Sequence, residues 1–144
     1  MDDILVEKKE DIGNLLDFLH DRPLSLEDMK FDKDTKELSF FVPVVTDEII
    51  DLKKVLMFST WKNPVCKSRF YICNIDRYKI IDDAEIGCAV VNTINYQNDS
   101  VEIKCSIPVR ISAKVSSLYL RLSVSDEILE TVSRFGKPTP PIDT

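Results

Sequence analysis

From Val101 to Val115 every second residue is apolar: Val101, Ile103, Cys105, Ile107, Val109, Ile111, Ala113 and Val115. Between them stand Glu102, Lys104, Ser106, Pro108, Arg110, Ser112 and Lys114. A two-residue period sends the two sets to opposite faces of a strand, one dry and one wet. A single wet face points to an antiparallel sheet, because parallel sheets are covered on both sides. The run is long for one strand, and Pro108 cannot donate to a ladder, so a bend, bulge or sheet edge is expected there. The alternation then slips by one. Leu118, Leu120, Leu122 and Val124 carry the apolar set on even numbers, and a turn or bulge near Ser116-Ser117 would restore their inward aim.

Other segments read in the same terms. In residues 8–20, Ile12, Leu15, Leu16 and Leu19 fall at i, i+3, i+4 and i+7, which predicts an amphipathic helix stopped by Pro23. Residues 25–32 and 37–44 read as strands around a Lys33-Asp34-Thr35-Lys36 turn, with Leu38, Phe40, Val42 and Val44 on one face. Residues 45–52 suit a short helical turn. Residues 54–61 and 66–75 are rich in strand formers and bracket Lys62-Asn63-Pro64, a turn signal. Residues 125–136 predict a closing helix: Ser125 can cap it, Asp126 and Glu127 suit its first turn, and Gly136 with Pro138 ends it. Residues 137–144 form a tail.

The expected fold class is α+β: one curved, mostly antiparallel sheet of about six to eight strands with an N-terminal and a C-terminal helix. The 144 residues make one domain, long enough to bury a core without staples. A candidate internal repeat relates residues 20–60 to 82–123. At an offset of 63, Phe31 matches Ile94, Leu38 matches Val101, Phe40 matches Ile103 and Leu52 matches Val115. Each unit would be a meander, opening on Asp21 and Asp83.

Several function classes drop out. With three glycines and neither GxGxxG nor GxxxxGK[ST], the chain has no Gly-rich phosphate loop. The four cysteines form no CxxC pair, and His20 is the only histidine, so no metal site or cofactor is expected. The cysteines read as small buried hydrophobes. Neither a Ser-His-Asp nor a Cys-His arrangement can be built without His20, which sits at a helix end beside Asp21. No apolar run is long enough to span a bilayer and the acidic start is no signal peptide, so the cytoplasm is expected.

Charge is uneven. Residues 1–51 hold 15 acids and 6 bases, residues 52–124 hold 6 and 11, and residues 125–144 hold 4 and 2. An acidic whole disfavours nucleic acid, although Trp61, Tyr71, Tyr78 and Tyr96 lie among bases that could form a stacking platform. The wet face of the long strand carries Lys104, Arg110 and Lys114, with Arg121 on the next strand. These suit docking of an acidic protein partner, or edge protection against aggregation.

The reading that follows is a non-enzymatic cytoplasmic interaction module. It has a protein partner or associates with itself, for instance as a homodimer through an edge strand. The alternative is a small-ligand-binding curved sheet or barrel, with Asp82, Asp83 and Glu85 holding the ligand or a divalent cation and supplying weak hydrolase chemistry. A deep apolar pocket would favour the alternative; a filled sheet with a flat charged face would favour the module.

Overall fold

The computed structural model describes residues 1–82, 87–106 and 109–136, and in it eleven strands form two curled antiparallel sheets. The first sheet has the order β1 (Ile4–Val6), β11 (Leu120–Gly136), β6 (Phe58–Ile72), β4 (Glu37–Val45) and β3 (Lys30–Asp32). β5 (Ile50–Val55) pairs with β6 beyond the end of β4. The second sheet has the order β2 (Pro23–Ser25), β8 (Cys88–Gln97), β9 (Ser100–Cys105), β10 (Val109–Val115) and β7 (Ile75–Asp82). Two sheets thus replace the single sheet expected from the sequence.

The inward faces of both sheets meet in one core. Leu38, Phe40, Val42 and Val44 of β4 are fully buried, as their alternation requires. They face Val91, Ile94, Val101, Ile103, Ile111, Ala113 and Val115 of the second sheet in one cluster. Across the first sheet Phe40, Phe70, Leu122 and Ile4 are successive cross-strand partners, and the first three are sealed from solvent. Such pairs are the unit that holds a sheet together. The single α-helix among the described residues, α1 (Ile12–Leu19), sinks Ile12, Leu15 and Leu19 into this core. Each such side chain contributes about 1.5–3 kcal/mol by leaving water.

The helix ends as its sequence demands. Arg22 stands before Pro23 and disfavours helical backbone, and Asp21 takes a left-handed conformation (φ 64°). Backbone bonds from Asp21 N–H to Val91 C=O (2.9 Å) and from Val91 N–H to Arg22 C=O (3.1 Å) then stitch the chain to β8.

Two of the chain's crossings between the sheets, at Cys73-Asn74 and at 116–119, lie side by side. Cys73 N–H donates to Tyr119 C=O (3.0 Å), Ser116 N–H to Asn74 C=O (2.9 Å), and the Asn74 amide to Ser117 Oγ (2.8 Å). The second crossing is the one-residue slip seen in the sequence. Past it Leu118, Leu120, Leu122 and Val124 are all buried.

Three local expectations are corrected. The 101–115 alternation is two strands, β9 and β10, paired with each other at Lys104 and Arg110. Residues 107 and 108, including Pro108, lie outside the described residues. The expected turn at Lys62-Asn63-Pro64 is strand, because β6 runs through it. Pro64 falls where the ladder passes from β4, which ends its pairing at Val65, to β5, which begins at Lys62. There its missing N–H breaks no strand bond, and its carbonyl accepts from Thr46 N–H (2.9 Å) and Thr46 Oγ (3.2 Å). The true reversal is the two-residue turn Leu56-Met57, with Leu56 at φ 55°. Residues 45–52 accordingly lead into β5 rather than a helical turn.

The C-terminal helix does not form. Residues 125–136 continue β11 and pair with β6 from Cys66 to Ser59. The would-be cap, Ser125, donates to Lys67 C=O (2.7 Å) and accepts from Glu127 N–H (3.2 Å), which sets an irregularity in the strand instead of a helix start. β-branched Ile128, Thr131 and Val132 suit that ladder, and pairing with β6 overrides the local helix signals. The result is a three-stranded arm, β5–β6–β11, that runs on past the core and leaves β5 and β11 exposed along its length.

Candidate interaction surface

The outer face of the second sheet follows from its register. Direct antiparallel partners share a face, so Arg110 stands beside Lys104 on β9 and Ile81 on β7. Ser112 stands beside Glu102 and Lys79, and Lys114 beside Ser100 and Arg77. β8 adds Thr93, Asn95 and Gln97, the partners of Lys104, Glu102 and Ser100. Five bases, Arg77, Lys79, Lys104, Arg110 and Lys114, thus share one face with Glu102, and exposed Asp76 lies beside Arg77 at the β7 bulge.

Glu102 holds two of them. Its Oε1 lies 3.5 Å from Arg110 Nε and 3.9 Å from Lys104 Nζ, while about half of each basic side chain stays open to water (52% and 50%). Lys114 Nζ donates to Asn98 C=O (3.0 Å) at the β8–β9 turn. That turn places Asn98 and Asp99 both at positive φ (53° and 58°), a conformation that short polar residues tolerate. A shallow groove at this sheet's margin is lined by Arg77, Lys79, Ser100, Ser112 and Lys114.

The structure brings Lys104, Arg110 and Lys114 together and sets Arg121 apart. Arg121 is on the first sheet, its guanidinium 4.1 Å from the centre of the Tyr71 ring and 3.8 Å from Glu37 Oε2. Arg77 and Lys79 take its place. Their signal was present in the sequence, because in Arg77-Tyr78-Lys79-Ile80 the bases alternate with the packed residues Tyr78 and Ile80. β9 and β10 are interior strands, flanked by β8 and β7, so their bases do not guard an edge.

The other candidates do not assemble. Asp82 ends β7, its carboxylate accepting from Gly87 N–H (3.3 Å); Asp83 and Glu85 lie outside the described residues. Among the described residues no group of three His, Cys, Asp or Glu side chains could hold a metal ion. His20 and Asp21 form an exposed pair (Nδ1 to Oδ2, 3.2 Å) at the helix end. The aromatic residues do not share a platform. Tyr78 packs inward on Phe31 (5.0 Å between ring centres), Tyr71 lies under Arg121, and Trp61 is on the arm.

Three thiols, those of Cys66, Cys73 and Cys105, are held in their protonated form. Burial pushes Cys73 up to about 12, aided by a bond to Glu37 Oε2 (3.3 Å), and pushes Cys105 up to about 11. Cys66 is raised by burial and then by the carboxylate of Glu48. A thiol raised in this way is a poor nucleophile. Among the described residues no helix is long and apolar enough to cross a membrane.

No protein-family model matches the chain, and no curated protein or solved structure matches it significantly.

Proposed function

We propose that the chain is a non-enzymatic binding module that docks an acidic segment of a protein partner on the outer face of its second sheet. One observation carries this reading: five bases grouped by register on the outer face of paired strands. Three neighbouring strands present them at fixed spacing, so a partner's carboxylates meet charges already held in place. A filled core supports the module over the ligand-binding barrel. The twelve largest fully sealed side chains all lie in it or at its margin, and a groove of about 690 Å³ opens at the base of the arm, away from Asp82.

The test uses the intact protein as bait, beside a charge-reversed variant, Arg77→Glu/Arg110→Glu/Lys114→Glu, at low and high salt. The expected result is a stoichiometric acidic partner retained by the parent at low salt, released at high salt and absent from the variant. If the variant retains the same partner, or a small molecule co-purifies with both, the basic face is not the binding surface.

A further inference from the structure

Eight of the ten exposed large hydrophobic residues among the described residues lie on the arm. They concentrate at its tip. Leu56 is 98% and Met57 78% exposed, and beside them the Phe58 and Phe135 rings stack at 5.0 Å on an otherwise open surface. Single exposed hydrophobics need no explanation, but a clustered apolar tip marks a contact site. Lys53 and Lys54 flank it on β5.

At the other end of the same arm is a groove of about 690 Å³. Its apolar lining comes from Met1, Phe18, Cys66, Val124 and Ile128, and Asp47, Glu48 and Asp126 stand around it. Its walls are fixed: the Asn63 amide donates to Glu48 C=O (2.9 Å), and Ser125 Oγ donates to Lys67 C=O (2.7 Å). Tip and groove therefore match, apolar to apolar and lysine to carboxylate. They cannot meet within one molecule. Phe58 and Cys66 are eight residues apart on one strand, about 26 Å.

We infer that the arm tip of one copy seats in the arm-base groove of a second copy, forming a two-fold dimer. Two arms laid antiparallel put each tip at the base of the other, so both grooves are filled by one self-complementary contact. The outer edge of β11 agrees with this arrangement. β1 pairs only with Leu120–Leu122, so the edge beyond has no strand partner among the described residues. A two-fold axis through Val132 sets Glu130 against Arg134 and brings Gly136, next to the tip, opposite Ile128, at the groove. The contact is separate from the basic face of the second sheet.

Sedimentation velocity of the full chain up to about 1 mM tests the dimer. Lys53→Glu/Lys54→Glu and Glu48→Lys/Asp126→Lys should each weaken it at least about tenfold, and a chain carrying all four should recover it. A monomer at every concentration, a dimer indifferent to both reversals, or no recovery in the combined chain overturns the inference. Disulfide trapping gives a readout independent of stability. In a Cys88→Ser background, Met57→Cys combined with Asp126→Cys, an exposed residue of the groove, should cross-link between copies on oxidation and lose that link when either cysteine is reverted. A link that persists with only one of the two, or none at all, overturns it. So does wild-type binding to anionic lipid vesicles with no dimer, which would assign the tip to a membrane surface.

Discussion

Two phenylalanines on neighbouring strands of the first sheet should lose very different amounts of stability to the same substitution. Phe70 is fully sealed, between Phe40 and Leu122, which are sealed as well. Phe70→Ala removes the middle of that row and leaves a void its neighbours cannot fill, which costs about 3–5 kcal/mol. Against a total stability of about 5–15 kcal/mol, that is a large share. At about 2–4 °C per kcal/mol for a chain near this size, the midpoint should fall by about 6–20 °C. Phe135 is 69% exposed and its ring contact is with Phe58. Phe135→Ala should lose only the stacking, about 0.5–1.5 kcal/mol, and a few degrees at most. The assay is thermal melting followed by near-ultraviolet circular dichroism, with urea unfolding beside it. Protein is kept dilute so that self-association does not contribute. Equal losses at the two sites, or a larger loss at Phe135, would refute the division into a packed core and an open arm.

Four further outcomes are expected. Arg69 donates to the Asp28 carboxylate (2.7 Å), and that bond, more than any other influence, lowers the Asp28 pKa below its ordinary 3.8. A lowered carboxylate stabilises the fold above its unfolded value, and the gain is lost as pH falls through the folded value. Urea midpoints taken from about pH 5 down to about pH 3 should therefore drop less steeply in Asp28→Asn, and parallel curves would rule the linkage out. Because Asp28 is 45% exposed, the difference should be modest. Leu56→Gly relieves a positive φ without uncovering any core, so stability should hold or rise by up to about 1 kcal/mol while self-association weakens; a loss of stability on unfolding in urea would count against the turn. At about pH 8, iodoacetamide should modify exposed Cys88 first, with Cys66, Cys73 and Cys105 following only after unfolding; intact-mass spectra showing several early additions would contradict the raised thiols. Lys104→Glu should weaken acidic-partner binding without changing the sedimentation coefficient, since it lies on the basic face and not on the arm; a shift to monomer would join the two surfaces.

Local chemistry made some of this legible in the chain. The two-residue period of Leu38 to Val44, and that of Val101 and Ile103 and of Val109, Ile111, Ala113 and Val115, marks residues that are buried in the structure. Asp32 accepts from Asp34 N–H (2.8 Å) and Thr35 N–H (3.2 Å), the side-chain turn that Asp-Lys-Asp-Thr announces. Pairings between distant segments were not legible. Leu56-Met57 carries no turn residue, so the reversal was sought at Pro64. Ile128, Val132 and Phe135 fall at helical spacing, and only β6, some 70 residues away by the Arg134–Asn63 bond, makes them strand. Of the surface residues, Lys104, Arg110 and Lys114 could be grouped by alternation alone. Arg77 and Lys79 required the β7–β10 pairing, and Arg121 was grouped with them only because the sequence hides the crossing at 116–119 that carries it into the other sheet.

The pairing of β1 with β11 bears on how the chain is made. Ile4 finds its strand partner only in Leu122, so the N-terminal strand emerges from the ribosome well before that partner exists. At about 5–20 residues per second, the first sheet stays open at that edge for several seconds of synthesis. Leu15 and Leu19 belong to the same core cluster as Leu120 and Leu122, so they too lack part of their packing during that time. Closure waits for β11 to emerge, and its long sequence separations place the chain among slow folders, in which an early helix must persist unsupported or re-form when that strand arrives.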